Sequence, residues 1–385
     1  MIPVMHVITR LTVGGSSENT VSMIEQLEKY GYTATLVLGP QSEGPVVEDA
    51  RQRGCRIVAL DGLVREVSPA RDVAAVLQLY RLFRRARPAI VHTHTSKAGF
   101  VGRMAAWLAG VPAVIHQPHG HIFYGYWSRA RTAMFVGLER IAAPWTDTIL
   151  ALTPREIEEN LERGIGRAGQ YAVVPSGVPT QALRDAAPSR AAARLKLGLP
   201  EDAYVVAGVG RFVPIKGFDL LVAALAELLA RVPDTHLLLI GDGVERGALE
   251  AQAAALGVAG RLHITGSVSD VTPLLPAADV LAAPSRNEGM GRVLVEAMAL
   301  GLPVVGTRVG GIADVIVDGE CGLVVAPEDP LALAGALIEL GHDTALRAKL
   351  GDGAQPRAEA FSTGVAAAAM RAVYDDLVRS RRQGR

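Results

Sequence analysis

The sequence predicts an α/β fold of two doubly wound domains, each a parallel sheet with helices on both faces. Short apolar, β-rich runs alternate with longer helical patterns along the whole chain, which is the signature of strands joined by helical crossovers. The strand-like runs read as buried on both faces, as parallel strands under two helical layers are. The series restarts after about residue 180, behind a turn-rich segment. A length of 385 residues suits two or three domains of ordinary size.

The first series opens with VMHVIT (4–9), followed by a glycine turn and a helical stretch near 18–30. TLVLG (35–39), RIVAL (56–60), AIVHTH (89–94), AVIHQ (113–117) and TILAL (148–152) continue it. PTQALRDAAPSR (179–190) is turn-rich and then helical, and places the boundary between domains 1–182 and 183–360. The second series is YVVAGVG (204–210), HLLLIGDG (236–243), RLHITG (261–266), DVLAAPS (279–285), PVVGT (303–307) and GLVVA (322–326). Ala-rich stretches near 191–193 and 365–369 fit helices, and residues 361–385 form a last helix, about 363–379, ending in the basic tail RSRRQGR. Ligands of open α/β sheets bind beyond the C-terminal ends of the strands. Two such domains facing each other across a cleft therefore focus attention on the residues just after each strand.

Bulk properties exclude several classes of function. Lys+Arg and Asp+Glu are both 39, a formal net charge of zero, which argues against nucleic acid as a partner. Cys55 and Cys321 are far apart and form no motif, as expected in a reducing compartment. MIPVMHVITRL lacks a charged lead and a long apolar block, and reads as a first strand rather than a signal peptide. No uncharged apolar run approaches about 20 residues, the length needed to span a bilayer. The expectation is a cytoplasmic protein whose membrane contact, if any, is peripheral.

The strand ends hold the chemistry. TVGGSSENT (12–20) puts Gly14 and Gly15 where the backbone turns sharply before a helix whose N–H groups can face an anion. VHTHTSKAG (91–99) sets His92 and His94 on one face of a strand. Thr95 or Ser96 follows as a cap and Lys97 in the first turn; Ser96 and Lys97 read either as a cap and a surface lysine or as acceptor-side residues. IHQPHGHIF (115–123) adds His116, His119 and His121. The histidine spacing lacks the neighbouring Asp or Cys of a common zinc site, so no metal is assigned. His119, before Gly120 at a strand end, is placed to donate to a substrate or to act as acid or base; the alternative is an ordinary core histidine.

In the second domain, GVGRFVPIKGF (208–218) sets Gly210 at a strand end, then Arg211 and Lys216 on the loop. A planar fork and a point charge five residues apart suit a diphosphate. SRNEGMGRVLVEAM (285–298) follows another strand. Gly289 and Gly291 allow close backbone approach, and the N–H groups of Met290, Gly291, Arg292 and Val293 open a helix toward phosphate oxygens. Glu296, more than a turn into that helix, can accept two hydrogen bonds from a ribose diol, and Glu288 one from the other end of the ligand. Two acceptors flanking a phosphate cradle describe a nucleoside diphosphate sugar.

Together these pieces resemble the GT4 family of retaining glycosyltransferases, with the GT-B fold. The carrying pieces are GG at 14–15, HG at 119–120, GRFVPIKG at 210–217 and EGMGRVLVEAMALGLPVVGT at 288–307. The resemblance covers essentially the whole chain. It implies that residues 1–182 hold the acceptor and 183–360 the donor, with the last helix crossing back to the first domain. Arg211 and Lys216 would neutralise the leaving diphosphate, Glu296 would hold the ribose, and Glu288 would touch the donor sugar. His119 would meet the sugar or the reacting face, Gly15 would lie under the phosphates, and the base would stack near Gly266 to Val268. It implies no cofactor. The chain has no Asp-x-Asp, which fits stabilisation of the leaving group by protein cations and N–H groups without metal. No carboxylate nucleophile is evident, so same-face substitution fits better than double displacement.

HTHTSKAG with PHGHIFYGYW resembles the branch that builds polysaccharides, often on polyprenyl-diphosphate carriers. The implied acceptor is thus a glycan or lipid-linked sugar. FYGYWSRARTAMFVG (123–137), with Arg129 and Arg131, reads either as a segment dipping into a bilayer surface or as a core-facing helix with a basic outer face. The rival functions are a nucleotide-sugar 2-epimerase of the same architecture and a non-catalytic nucleotide-sugar binding protein. A dinucleotide dehydrogenase is disfavoured because no G-x-G-x-x-G follows the first strand.

Overall fold

A computed structural model describes residues 1–12, 14–120 and 128–383. The described chain divides into two compact units, one of residues 1–120, 128–177 and 363–383, the other Val178–Ser362.

Strands and helices alternate in order: β1 Ile2–Ile8, α1 Gly15–Glu28, β2 Tyr32–Leu38, α2 Gly44–Gln52, β3 Arg56–Ala59, α3 Pro69–Ala86, β4 Ile90–His94, α4 Ser96–Ala109, β5 Ala113–Gln117, α5 Arg129–Ala142, β6 Thr148–Ala151, α6 Pro154–Glu162 and β7 Tyr171–Val173. The second unit continues with α7 Thr180–Ala186, α8 Arg190–Leu197, β8 Tyr204–Val209, α9 Phe218–Arg231, β9 Thr235–Ile240, α10 Arg246–Ala255, β10 Leu262–Ile264, β11 Val280–Ala283, α11 Arg292–Ala299, β12 Val304–Thr307, α12 Ile312–Val315, β13 Gly322–Val325, α13 Pro330–His342 and α14 Thr344–Glu359. The last helix, α15 (Thr363–Gln383), returns to the first unit.

The first sheet has the order β3-β2-β1-β4-β5-β6-β7 and the second β10-β9-β8-β11-β12-β13. Every pairing between these strands is parallel. Strand order reverses between β1 and β4 in one sheet and between β8 and β11 in the other. Those are the two switch points at which open α/β sheets bind ligands.

The strands are buried because helices cover both faces. One face of the first sheet packs Val4, Ile90, Ile115 and Leu150 against Met23 and Leu27 of α1 and Ala366, Met370 and Tyr374 of α15. The other packs Val7, Val37 and Val91 against Leu79 and Phe83 of α3 and Val101 and Ala105 of α4. In the second sheet, Val206, Leu237, Leu239 and Val280 meet Leu221, Leu225 and Leu228 of α9 and Leu333 and Leu337 of α13. β7 is the one strand the sequence pattern does not foretell. Its three residues, Tyr-Ala-Val, lie at the sheet edge and are too few to make an apolar run.

Candidate functional site

In the second unit the ends of β8 and β11 bring together four of the expected donor-side residues, Lys216, Glu288, Gly291 and Val293. β8 ends at Val209, and the loop runs through Gly210, exposed Arg211 and fully buried Phe212 to a single 3-10 turn at Pro214–Lys216. Phe212 anchors the loop: its N–H donates to the Asp242 carbonyl at 2.8 Å and its ring packs edge-on to Phe218. Gly217 ends the turn at φ 68°, and a Cβ there would overlap the carbonyl of Pro284 at the end of β11. Only glycine satisfies both demands, so the two strand-end loops lie against each other.

Arg286 ties them further. Its guanidinium donates to both carboxylate oxygens of Asp219 at 2.7 Å, to the Pro214 carbonyl at 2.7 Å and to Glu328 at 2.6 Å. The bonds to Asp219 hold Arg286 protonated more firmly than usual, and Arg286 in turn holds Asp219 below the usual carboxylate range. The consequence is geometric: Lys216 Nζ forms an ion pair with Glu288. Arg211 makes no ion pair with the described residues. The Glu288 backbone is fixed by the next loop, where Gly311 N–H donates to its carbonyl at 3.0 Å and a Cβ on Gly310 would overlap that carbonyl.

Gly291, in the left-handed conformation at φ 76°, caps α11 and has no side chain to accept from the first-turn N–H groups. Glu296 follows on α11, 3.7 Å from Arg292. Lys216, Glu288, Gly291 and Val293 surround one small hollow with Phe218 and Ser285. Gly266 (φ 78°) bridges to Gly241 beside the same loops. Val268 lines a separate cavity of about 600 Å³ with Lys196, Leu238, His263, Asp270 and Leu274, a volume in the range of small-molecule sites.

In the first unit, Gly14 and Gly15 lie exposed at the start of α1, and Asn19 of that helix accepts from Gly177 N–H at 3.0 Å, where the chain leaves the unit. The helix after β4 is capped by Thr95 rather than Ser96, at φ 62° and without a side-chain cap bond. His119, after β5, has φ 61°. Two non-glycine residues at positive φ on adjacent strand ends mark stored strain of about 1–3 kcal/mol each, of the kind that collects at functional sites. Lys97 is held by Asp72 and by the Glu66 carbonyl, the latter at 2.9 Å; Ser96 is half-buried beside it.

The histidines of β1 and β4 stack beneath His119. His94 Nδ1 lies 2.8 Å from His119 Nε2, and His94 Nε2 lies 2.9 Å from His6 Nδ1. His116 is on the opposite face, its Nδ1 3.0 Å from Thr93 Oγ1. Burial drives the pKa of His6 down to about 3, with His119 nearby as a second cause, and holds His92, His94 and His116 well below the usual histidine value. One nitrogen each of His6, His92 and His94 lie within 4.8 Å of one another, as a metal site would require. The His94 ring, however, is tilted only 10° from His6 and 28° from His92. Lone pairs in near-parallel stacked planes do not converge readily on one ion; His6 and His94 hydrogen-bond each other directly and His92 Nδ1 pairs with the Tyr374 hydroxyl. His121 and residues 123–127 of the expected bilayer segment lie outside the described residues.

Residues 189–357 match the family "Glycosyl transferases group 1", and residues 14–177 match "Glycosyl transferase 4-like domain". Over 343 residues the chain is 33% identical to the D-inositol 3-phosphate glycosyltransferase of Streptomyces avermitilis, covering 84% of this chain and 73% of that protein. The chain is a group 1 glycosyltransferase. The Escherichia coli UDP-Gal:alpha-D-GlcNAc-diphosphoundecaprenol alpha-1,3-galactosyltransferase is 27% identical over 349 residues, covering 90% of this chain and 89% of that one. Among solved structures, Anabaena HepE in complex with UDP and glucose matches at a TM-score of 0.84 and 21% identity, over 98% of this glycosyltransferase and 100% of that chain. Sucrose-phosphate synthase from Thermosynechococcus elongatus matches at 0.82 and 25%, over 99% and 100%. The fold is GT-B.

Sequence reasoning missed three residues of this glycosyltransferase. Arg286 and Asp219 lie 67 positions apart; Arg286 lies inside the stretch 285–298 but was given no role there, and Asp219 follows directly on the stretch 208–218. His6 becomes visible only once β1 is known to pair with β4, in a register that sets it beside His92. An H-x-H run next to another strand's histidine would have been the signal.

Proposed function

We propose that this glycosyltransferase moves a hexosyl group from a UDP-sugar to a hydroxyl of a glycan or lipid-linked sugar, with retention at the anomeric carbon and without a metal ion. The observation that carries the reading is the meeting of the two strand-end loops, where Lys216 pairs with Glu288 beside the N-terminus of α11. The slow step breaks the anomeric C–O bond, and negative charge grows on the diphosphate. Arg211, Lys216 and the N–H groups of Gly289 to Val293, which lead into α11, are the positive groups assigned to that charge. Glu296 accepts from the ribose diol, and Glu288 from the donor sugar. His119 faces the sugar from the first domain, with Gly14 and Gly15 beneath the phosphates and Ser96 and Lys97 on the acceptor side. Residues 1–182 thereby serve the acceptor and 183–360 the donor, and Gly266 to Val268 border the base.

A uridine donor is supported by the UDP found in HepE and the UDP-Gal of the Escherichia coli relative; the latter also supports a polyprenyl-diphosphate-linked acceptor. We place the enzyme in the cytoplasm with peripheral contact at the inner membrane face. Among the described residues no helix is long and apolar enough to cross a membrane, and both cysteines are buried and unpaired. The test is transfer from radiolabelled UDP-hexoses to a lipid-linked sugar in EDTA. Labelled product lost in Lys216→Ala supports the reading. Release of free epimerised nucleotide sugar, or donor binding with no turnover, would replace it.

A further inference from the structure

A continuous path of neutral hydrogen bonds runs under His119. It passes from His119 Nε2 to His94 Nδ1 at 2.8 Å and from His94 Nε2 to His6 Nδ1 at 2.9 Å. It continues from His6 Nε2 to Tyr374 Oη at 3.4 Å and from Tyr374 Oη to His92 Nδ1 at 2.8 Å. His6, His92, His94 and Tyr374 are all buried. A neutral imidazole has one N–H and one lone pair, so the bonds through His94 and His6 must point the same way. The Tyr374 hydroxyl has one hydrogen and two lone pairs; accepting from both His6 and His92 would leave that buried hydrogen without either partner in the path, so it donates to one ring and accepts from the other.

Two polarities also use the Tyr374 hydrogen. In the first, His119 donates to His94, each ring passes the sense on, and Tyr374 donates to His92 Nδ1. His92 then carries its hydrogen on Nε2, which is buried with no partner. In the second, His92 Nδ1 donates to Tyr374, Tyr374 to His6 Nε2, His6 Nδ1 to His94 Nε2, and His94 Nδ1 to His119 Nε2. His92 Nε2 is then a bare lone pair. Buried orphan N–H groups are rarer than under-satisfied acceptors, so the second polarity is favoured.

We propose that His94 is a positioning residue that donates to His119 Nε2 and fixes His119 as its Nδ1–H tautomer, a hydrogen-bond donor toward a hydroxyl of the transferred sugar. The polarity is set at the far end of the path by His92, whose Nε2 is buried without a partner, and it reaches His6 only through the Tyr374 hydroxyl of α15. The inference rests on the proposed role of His119 in contacting the sugar.

The test is two-bond ¹H–¹⁵N correlation NMR of the full chain labelled at histidine, with His119 assigned from the spectrum of His119→Gln. The expected wild-type spectrum has His119 protonated at Nδ1 and bare at Nε2. Tyr374→Phe removes only the hydroxyl and keeps the ring that packs edge-on to Tyr32. It should let His119 populate the Nε2–H form and lower kcat about tenfold, the scale of one lost hydrogen bond, with KM for the donor little changed. An Nε2–H His119 in the wild type would overturn the proposal without any variant, as would a tautomer unmoved by Tyr374→Phe. The spectrum is read without substrate. Full transfer by His119→Ala would therefore sink the role of His119 while leaving the tautomer result standing.

Discussion

Acid should destabilise the first unit before most carboxylates titrate. His6 has a folded-state pKa of about 3 against 6.5 when exposed, because burial, and then His119, disfavours its charged form. His92, His94 and His116 are shifted the same way. Below 6.5 the unfolded chain binds protons that the folded chain does not, so stability is fully present above that pH and is lost as pH falls toward 3. At about pH 5, His6 alone costs about 2 kcal/mol, 1.36 kcal/mol for each of about 1.5 pH units. A unit of this size should lose about 4–8 °C in Tm for that amount. The neighbouring histidines add to the loss, though less than in proportion, since the rings repel one another's protons. Trp107 and Trp145 stack at 5.8 Å in this unit, and residues 178–362 contain no tryptophan. Tryptophan fluorescence during thermal unfolding therefore reads the first unit alone. A midpoint unchanged between about pH 8 and 5 would refute the reasoning, since it would mean that the histidine stack accepts protons while folded.

Other outcomes follow from the second unit. Gly217→Ala, strained at φ 68° and in conflict with the Pro284 carbonyl, should destabilise that unit by about 1–3 kcal/mol, read as a lower urea midpoint by circular dichroism. Arg286→Lys cannot reproduce the fork onto Asp219; kcat should fall about tenfold or more while the donor Kd moves less, because Lys216 loses its fixed position. Lys216→Ala should lower turnover more than donor binding, by about 100-fold if it acts on the leaving diphosphate. EDTA should leave transfer intact, and its loss on chelation, restored by a divalent ion, would overturn the metal-free account.

Much of the fold was legible because parallel strands are short, apolar and bounded by turns. AVIHQ was read as 113–117, the same residues that form β5, and the last helix, expected near 363–379, runs to Gln383. β7 escaped because three residues carry no periodicity. The pairing of Lys216 with Glu288 was within reach because Arg211, Lys216, Glu288 and Glu296, the proposed donor-side residues, sit at fixed offsets within two contiguous stretches, and local spacing is what a sequence displays. Arg286 with Asp219, and His6 with His94, are long-range pairs created by strand order, which no local pattern encodes. Lys97 is a further case. Its place after a strand left it either a surface lysine or an acceptor-side group, and its partners, Asp72, 25 positions away, and the Glu66 carbonyl, appear only in the fold.

The most direct test of the central claim is calorimetric titration of UDP into the wild-type chain and into Glu296→Ala, with EDTA throughout. The expected result is saturable binding by the wild type and a loss of about tenfold or more in the variant, as removal of a bidentate acceptor from a diol requires. Equal affinities in two folded proteins, or binding that appears only when a divalent metal is supplied, would contradict the account.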